Sequence, residues 1–199
     1  LDFNVPEPVV VNVNSEFVDL LVGNDMHQVA GNSLGFNFGN EYQRGYYPLL
    51  KDQPVTDIVK QKLLDLFAFD MLISNSDRRI DKPNFLFNGN DVLVFDHEIA
   101  FGFLFELPFL RNNNPWLFRD SDMDWINLNF CFNLLKGNEY NFLPFLDKLI
   151  SINDLFWDKI ETIIPQEWFN SQFGTIKNNL SSMVEHADLF TGELTRLLQ

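Results

Sequence analysis

Asp77, Asn84 and Asp96 are the side chains whose types and spacing could do chemistry. Asp77 lies in a polar loop, Asn75-Ser76-Asp77-Arg78, directly after an apolar stretch. An acid placed there can orient a substrate hydroxyl or accept its proton. Asn84 supplies a neutral amide oxygen and Asp96 a charged one. Magnesium takes such hard oxygen donors together with phosphate oxygens and water. Two acids and an amide brought to one place are what a magnesium-nucleotide site needs. The plainer alternative is a polar loop in which Asp77 caps a turn and Asp96 ends a strand.

Whether the three meet depends on the elements between them. Phe85-Leu86-Phe87 and Val92-Leu93-Val94-Phe95 are strand-like runs, and Asn88-Gly89 between them is a hairpin signal. Pairing Phe87 with Val92 brings Asn84 beside Phe95 and Asp96 at the open end, where the Asp77 loop also ends. The loop follows a helix expected over Asp52–Ser74, with Thr56 as N-cap after Pro54. Ile58, Val59, Leu63, Leu64, Leu66, Phe67, Met71 and Leu72 cover much of its circumference, so it is expected to be buried at the centre of the domain.

The rest of the chain reads as a frame for this unit. Val5-Pro6-Glu7-Pro8 is an extended, proline-stiffened opening. A strand is expected over Val9–Asn14, with Phe17–Val22 as a candidate second strand. Residues Gly23 to Asp52 read as loop, rich in Gly, Asn and Tyr, without a sustained period. Gly31, Gly35 and Gly39 lack the spacing and the following helix of a phosphate loop. Beyond Ile99-Ala100-Phe101-Gly102-Phe103, an irregular segment runs through Pro108 to Pro115. Helices are then expected over Ser121–Lys136, Asn141–Ile150, Ser151–Ile163 and from Gln166 to about Leu198, the last broken near Gly174 or Gly192. Gly137-Asn138 is a helix stop.

Composition narrows the classes further. A chain of 199 residues that is 46% hydrophobic, with 22 Phe, can build a real core in one domain or two small lobes. The net charge of −14 argues against a nucleic-acid surface, which needs clustered Lys and Arg. No apolar run reaches the length of a membrane span, and no signal peptide opens the sequence. Cys131 is the single cysteine; it excludes an internal disulfide and fits a reducing cytoplasm, and Phe130-Cys131-Phe132 marks it as core. Asp120-Ser121-Asp122-Met123-Asp124 starts like a calcium loop, but Trp125 and Cys131 stand where Gly and Glu are required. His97-Glu98 lacks the second His of a zinc-protease helix, and His27, His97 and His186 lack local metal-ligand spacing. His97 reads as a hydrogen-bonding structural residue. Trp116, Trp125, Trp157 and Trp168 are expected in the core, on helices.

Asn75-Ser76-Asp77-Arg78, then Pro83-Asn84-Phe85-Leu86, then Val94-Phe95-Asp96-His97 resembles the catalytic core of HipA-like kinases, bacterial serine/threonine kinases distantly related in fold to eukaryotic protein kinases. The nearest pattern is the subgroup with N-x-D-R, N-P-N-L-L and I-D-H. Phe38-Gly39-Asn40-Glu41-Tyr42 also resembles a segment that subgroup carries before its catalytic helix, and Val5–Pro8 resembles the approach to the interlobe hinge. The resemblance implies an α+β, mainly α, kinase-like C-terminal lobe with a small hairpin at the active site. It divides the chain into hinge-proximal strands and loop over 1–50 and a helical lobe over 51–199. It implies Asp77 as catalytic acid/base, and Asn84 and Asp96 as ligands of the magnesium that accompanies ATP. The implied substrate is a protein hydroxyl, in the cytoplasm, with an antitoxin or an N-lobe chain as candidate partner and neither nucleic acid nor membrane.

The chain departs from the pattern in two ways. Lys82 stands where N-P-N has its first Asn, a change expected to be tolerated because Asn84 is kept. The chain opens on Leu1, near the expected hinge, so the glycine-rich loop, strand lysine and helix glutamate of an N-terminal lobe are expected to be missing from it. Lys51, Lys60 and Lys62, in or near the first long helix, do not replace that lysine. Three readings follow: a phosphotransferase, a pseudokinase or split-kinase binding module, and a non-kinase hydrolase using Asp77 and Asp96 as paired acids.

Overall fold

The computed structural model describes residues 3–50, 53–164, 166 and 169–199. It is α+β and mainly α: two separate two-stranded antiparallel sheets and, among the described residues, nine α-helices. Strand β1 (Pro8–Val13) leads into helix α1 (Ser15–Leu20) and helix α2 (His27–Asn32), and strand β2 (Gly35–Asn40) returns to pair with β1, Val10 opposite Phe38. Two expectations are corrected here. Phe17–Val22 is not a strand, because the Asn14 side chain accepts a hydrogen bond from the Phe17 backbone N–H at 2.8 Å and starts a helix. The stretch after Gly23 is not all loop, because Gly35–Asn40 gains strand character by pairing with β1.

Helix α3 (Asp57–Leu72) is the centre of the core. Thr56 caps it as expected, accepting from the Val59 N–H at 3.3 Å. It is shorter at both ends than Asp52–Ser74: Asp52 lies outside the described residues, as does Lys51, and Ser74 falls beyond the end with a φ of 49°. Val59, Leu63, Leu66, Phe67 and Ala68 have no exposed surface. At about 25 cal/mol per Å² of apolar surface, this burial is what holds a helix with apolar residues nearly all round.

Strands β3 (Phe85–Phe87) and β4 (Val92–Val94) form the expected hairpin in the expected register, Phe87 opposite Val92. Its connection is the four residues 88–91, where Asn88 Oδ1 accepts from the N–H groups of Asn90 and Asp91 and Gly89 takes a φ of 91°. Both edges are paired: Tyr47 exchanges backbone hydrogen bonds with Phe87, and Val94 donates to the Asn4 carbonyl at 2.9 Å. Covered edges keep a three-residue hairpin in place. Lys62 on α3 pairs with Asp91 of the connection.

The helical body is more broken than expected. Ser121–Lys136 divides into a short 3₁₀ turn (Asp120–Asp122), helix α4 (Met123–Ile126) and helix α5 (Phe130–Leu135), because Asn129 caps a new helix by accepting from the Phe132 N–H at 3.0 Å. Gly137, at φ 84°, ends α5 where a stop was expected. Helices α6 (Leu143–Leu149) and α7 (Asp154–Ile163) follow, inside the expected spans. The last stretch forms α8 (Ser171–Glu185) and α9 (Ala187–Leu198), and the break falls at His186; Gly174 and Gly192 are interior helical residues. Cys131 and Trp157 are buried as expected, and burial pushes the Cys131 thiol far above its ordinary value. Trp116 and Trp125 pack at the edge of the core. Trp116 sits in a turn, not a helix, stacked on His186 at 3.5 Å. Trp168 lies outside the described residues. No helix among the described residues is long and apolar enough to cross a membrane.

Candidate functional site

The site is built on a charge inside the core. Asp70, on the last turn of α3, is fully buried and accepts three side-chain hydrogen bonds: from Arg78 Nε at 2.7 Å, Asn75 Nδ2 at 3.0 Å and Asn129 Nδ2 at 3.0 Å. Arg78, also without exposed surface, spends its remaining donors on the hairpin base. Its guanidinium donates to the carbonyls of Asn84 at 2.7 Å and Pro83 at 3.1 Å and to His97 Nε2 at 3.0 Å. A guanidinium has donors and no acceptor, so this contact suits the His97 tautomer that accepts through Nε2 and carries its proton on Nδ1. Burial, and then the adjacent Arg78 charge, hold His97 below its ordinary value of 6.5. One buried ion pair thus ties the end of α3 and the loop after it to both ends of the hairpin.

The backbone conforms to this tie. Asn84 and Asp96 adopt left-handed conformations, φ 51° and 57°, which Asn and Asp tolerate better than most residues. The Phe95 N–H donates to the Asn84 carbonyl at 3.2 Å, so the two residues flank the open end of the hairpin as the register requires. Gly102 lets the chain beyond Asp96 pass against the Ser74 carbonyl; a Cβ there would lie 3.1 Å from that oxygen.

The structure brings Asp77, Asn84 and Asp96 together. Asn84 Nδ2 donates to Asp77 Oδ2 at 3.0 Å, which leaves Asn84 Oδ1 without a donor among the described residues. Asp77 and Asn84 are buried and Asp96 is half-buried. The Asp77 carboxylate accepts side-chain donors and no backbone N–H among the described residues, so its side chain does not cap the turn.

Two residues complete the group that sequence reasoning did not assign to it. Lys82 Nζ lies 2.9 Å from Asp77 Oδ2, 3.1 Å from Asp96 Oδ2 and 3.9 Å from Glu98 Oε1. Glu98 joins Asp77 and Asp96 in a set of carboxylates with one oxygen each within 4.8 Å of the others. The hydrogen bond from Lys82, together with that from Asn84 and the nearby Arg79 charge, holds the Asp77 carboxyl below the usual carboxylate range despite burial. The two acids in turn raise Lys82 above the ordinary lysine range. Lys82, standing where the motif has its first Asn, thus joins the two acids through its ammonium. Lys82 was visible as a charged residue between Asp77 and Asn84. Asp70 and Arg78 carried a signal too: an acid within an apolar helix needs a partner, and Arg78 follows within eight residues.

These donors suit a hard divalent cation. Asp96 offers a carboxylate, Asn84 a free amide oxygen, and the ammonium between the acids marks a place where positive charge is held. The family model described as HipA-like kinase matches residues 1–189. No curated protein and no solved structure matches the chain.

Proposed function

The chain belongs to the HipA-like kinase family, and from that premise we propose that it transfers the γ-phosphoryl group of ATP to a serine or threonine hydroxyl of a protein. One observation carries the reading: the acid, the amide and the second acid of the motif stand at one end of the hairpin, joined through Lys82 and Asn84. Asn84 and Asp96 would hold magnesium, which when bound neutralises charge on the ATP phosphates. Asp77 receives the acceptor hydroxyl as a hydrogen bond. It orients the hydroxyl first and takes its proton as the new P–O bond forms and the bond from the γ-phosphorus to the departing ADP oxygen breaks. A loose phosphoryl-transfer transition state asks for little more from a base. Arg78 keeps the Asp77 loop and the hairpin in register and touches no reacting atom.

A second reading is favoured by Lys82. With its ammonium across Asp77 and Asp96, the same fold would serve as a binding module without independent catalysis. Thermal unfolding of the full-length protein with Mg-ATP separates the two. A clear rise in Tm that Asp96→Ala abolishes supports the phosphotransferase; no rise in the folded parent favours the binding module.

A further inference from the structure

We propose that Lys82 is a tethered competitor for the cation site: its ammonium holds the acids together in the metal-free protein, and a divalent metal binds Asp96 and Asn84 only by displacing it. The inference rests on the proposed metal site and adds the residue that sets its affinity.

The ammonium is within hydrogen-bonding distance of Asp77 Oδ2 and Asp96 Oδ2 at once, with Glu98 Oε1 at 3.9 Å. A dication on Asp96 would lie within a few ångströms of that charge, where like charges repel strongly even at a partly solvated site. The two cations therefore exclude each other. Lys82 can also leave: its side chain is 43% exposed, on a flexible stem in a surface loop, whereas Arg78 is locked at zero exposure. Moving the ammonium into solvent breaks its ion pairs with Asp77 and Asp96, in which the lysine end is itself exposed. Finally, the acids need a cation. Without Lys82, Asp77, Asp96 and Glu98 would face one another with Arg79, 3.8 Å from Asp77, as the one cation paired with them among the described residues. The site thus alternates between a lysine-held and a metal-held state.

The test is Mn2+ binding to the full-length protein, followed by the free-ion EPR signal, with no nucleotide present. Lys82→Met keeps the stem and removes the charge, and it should tighten Mn2+ binding about tenfold, the order that loss of two partly exposed ion pairs supports. Lys82→Arg should leave affinity near the parent's. Lys177→Met, which removes a charge paired with Glu161, should leave it unchanged and so controls for net charge. Lys82→Met should also melt lower than the parent without metal and recover with Mn2+. If Lys82→Met leaves affinity within twofold of the parent, or weakens it, while Asp96→Ala abolishes binding, the competitor role is overturned and the metal site stands. If neither the parent nor Lys82→Met binds Mn2+, the metal site itself fails and the competitor role with it.

Discussion

Replacing Arg78 with Met tests how the site is held. The substitution approximates the side-chain length and removes the charge. Asp70 then sits at zero exposure without its counter-charge, keeping Asn75 and Asn129 as donors among the described residues, and the Asn84 carbonyl and His97 each lose a partner. Breaking a buried ion pair from one side costs about 3–5 kcal/mol, because the orphaned charge stays out of water. That is a large part of the roughly 5–15 kcal/mol that holds a domain together. Urea unfolding followed by far-UV circular dichroism gives the number. Asp70→Asn with Arg78→Met should be less destabilising than the sum of the two single changes, since the neutral amide no longer needs the guanidinium; the double-mutant cycle measures that coupling. A loss below about 1 kcal/mol for Arg78→Met would refute the role given to this pair.

Other consequences follow from the same contacts. His97 carries a positive charge only when protonated, and its folded-state proton affinity is depressed. The unfolded chain therefore takes up the proton first as pH falls. The contribution of His97 is complete above about pH 6.5 and declines as pH drops through the window below it. Thermal melts across pH 5–8 should show that decline in the parent and a flatter profile in His97→Asn. Thr56→Ala should cost about 1 kcal/mol in thermal unfolding, because Thr56 caps α3 through the Val59 N–H and also donates to the Gly89 carbonyl at 3.4 Å. Phe190→Ala should cost about 3–5 kcal/mol by urea unfolding, as its ring has no exposed surface and packs near Phe118 and Phe145.

The hairpin was legible because its signals are local and agree: strand-like runs on either side of Asn88-Gly89 set the pairing of Phe87 with Val92, and Asn84 and Asp96 follow from that register. The long helix was legible from its apolar circumference and the Thr56 cap. Phe17–Val22 was misread because its residues favour strand, while the Asn14 cap that decides the matter lies outside the run. Gly35–Asn40 carried too much Gly and Asn to stand out, and only its partner β1 makes it a strand. The break before α5 was hidden in a run that looks continuously helical until Asn129 is recognised as a cap. Lys82 and Glu98 were missed for a related reason. Their part in the site depends on where the loop and the residue after His97 end up in space, and no spacing along the chain states that.

Phosphoryl transfer from γ-labelled ATP by the full-length protein, compared with Asp77→Asn, bears most directly on the proposed kinase chemistry. Asparagine keeps the size of Asp77 and can still face Asn84 and Lys82, but it cannot take a proton. The parent should transfer phosphate to a protein hydroxyl, and the variant should lose about a hundredfold to ten-thousandfold, the range for a positioned acid/base. Equal transfer by the two proteins would contradict it.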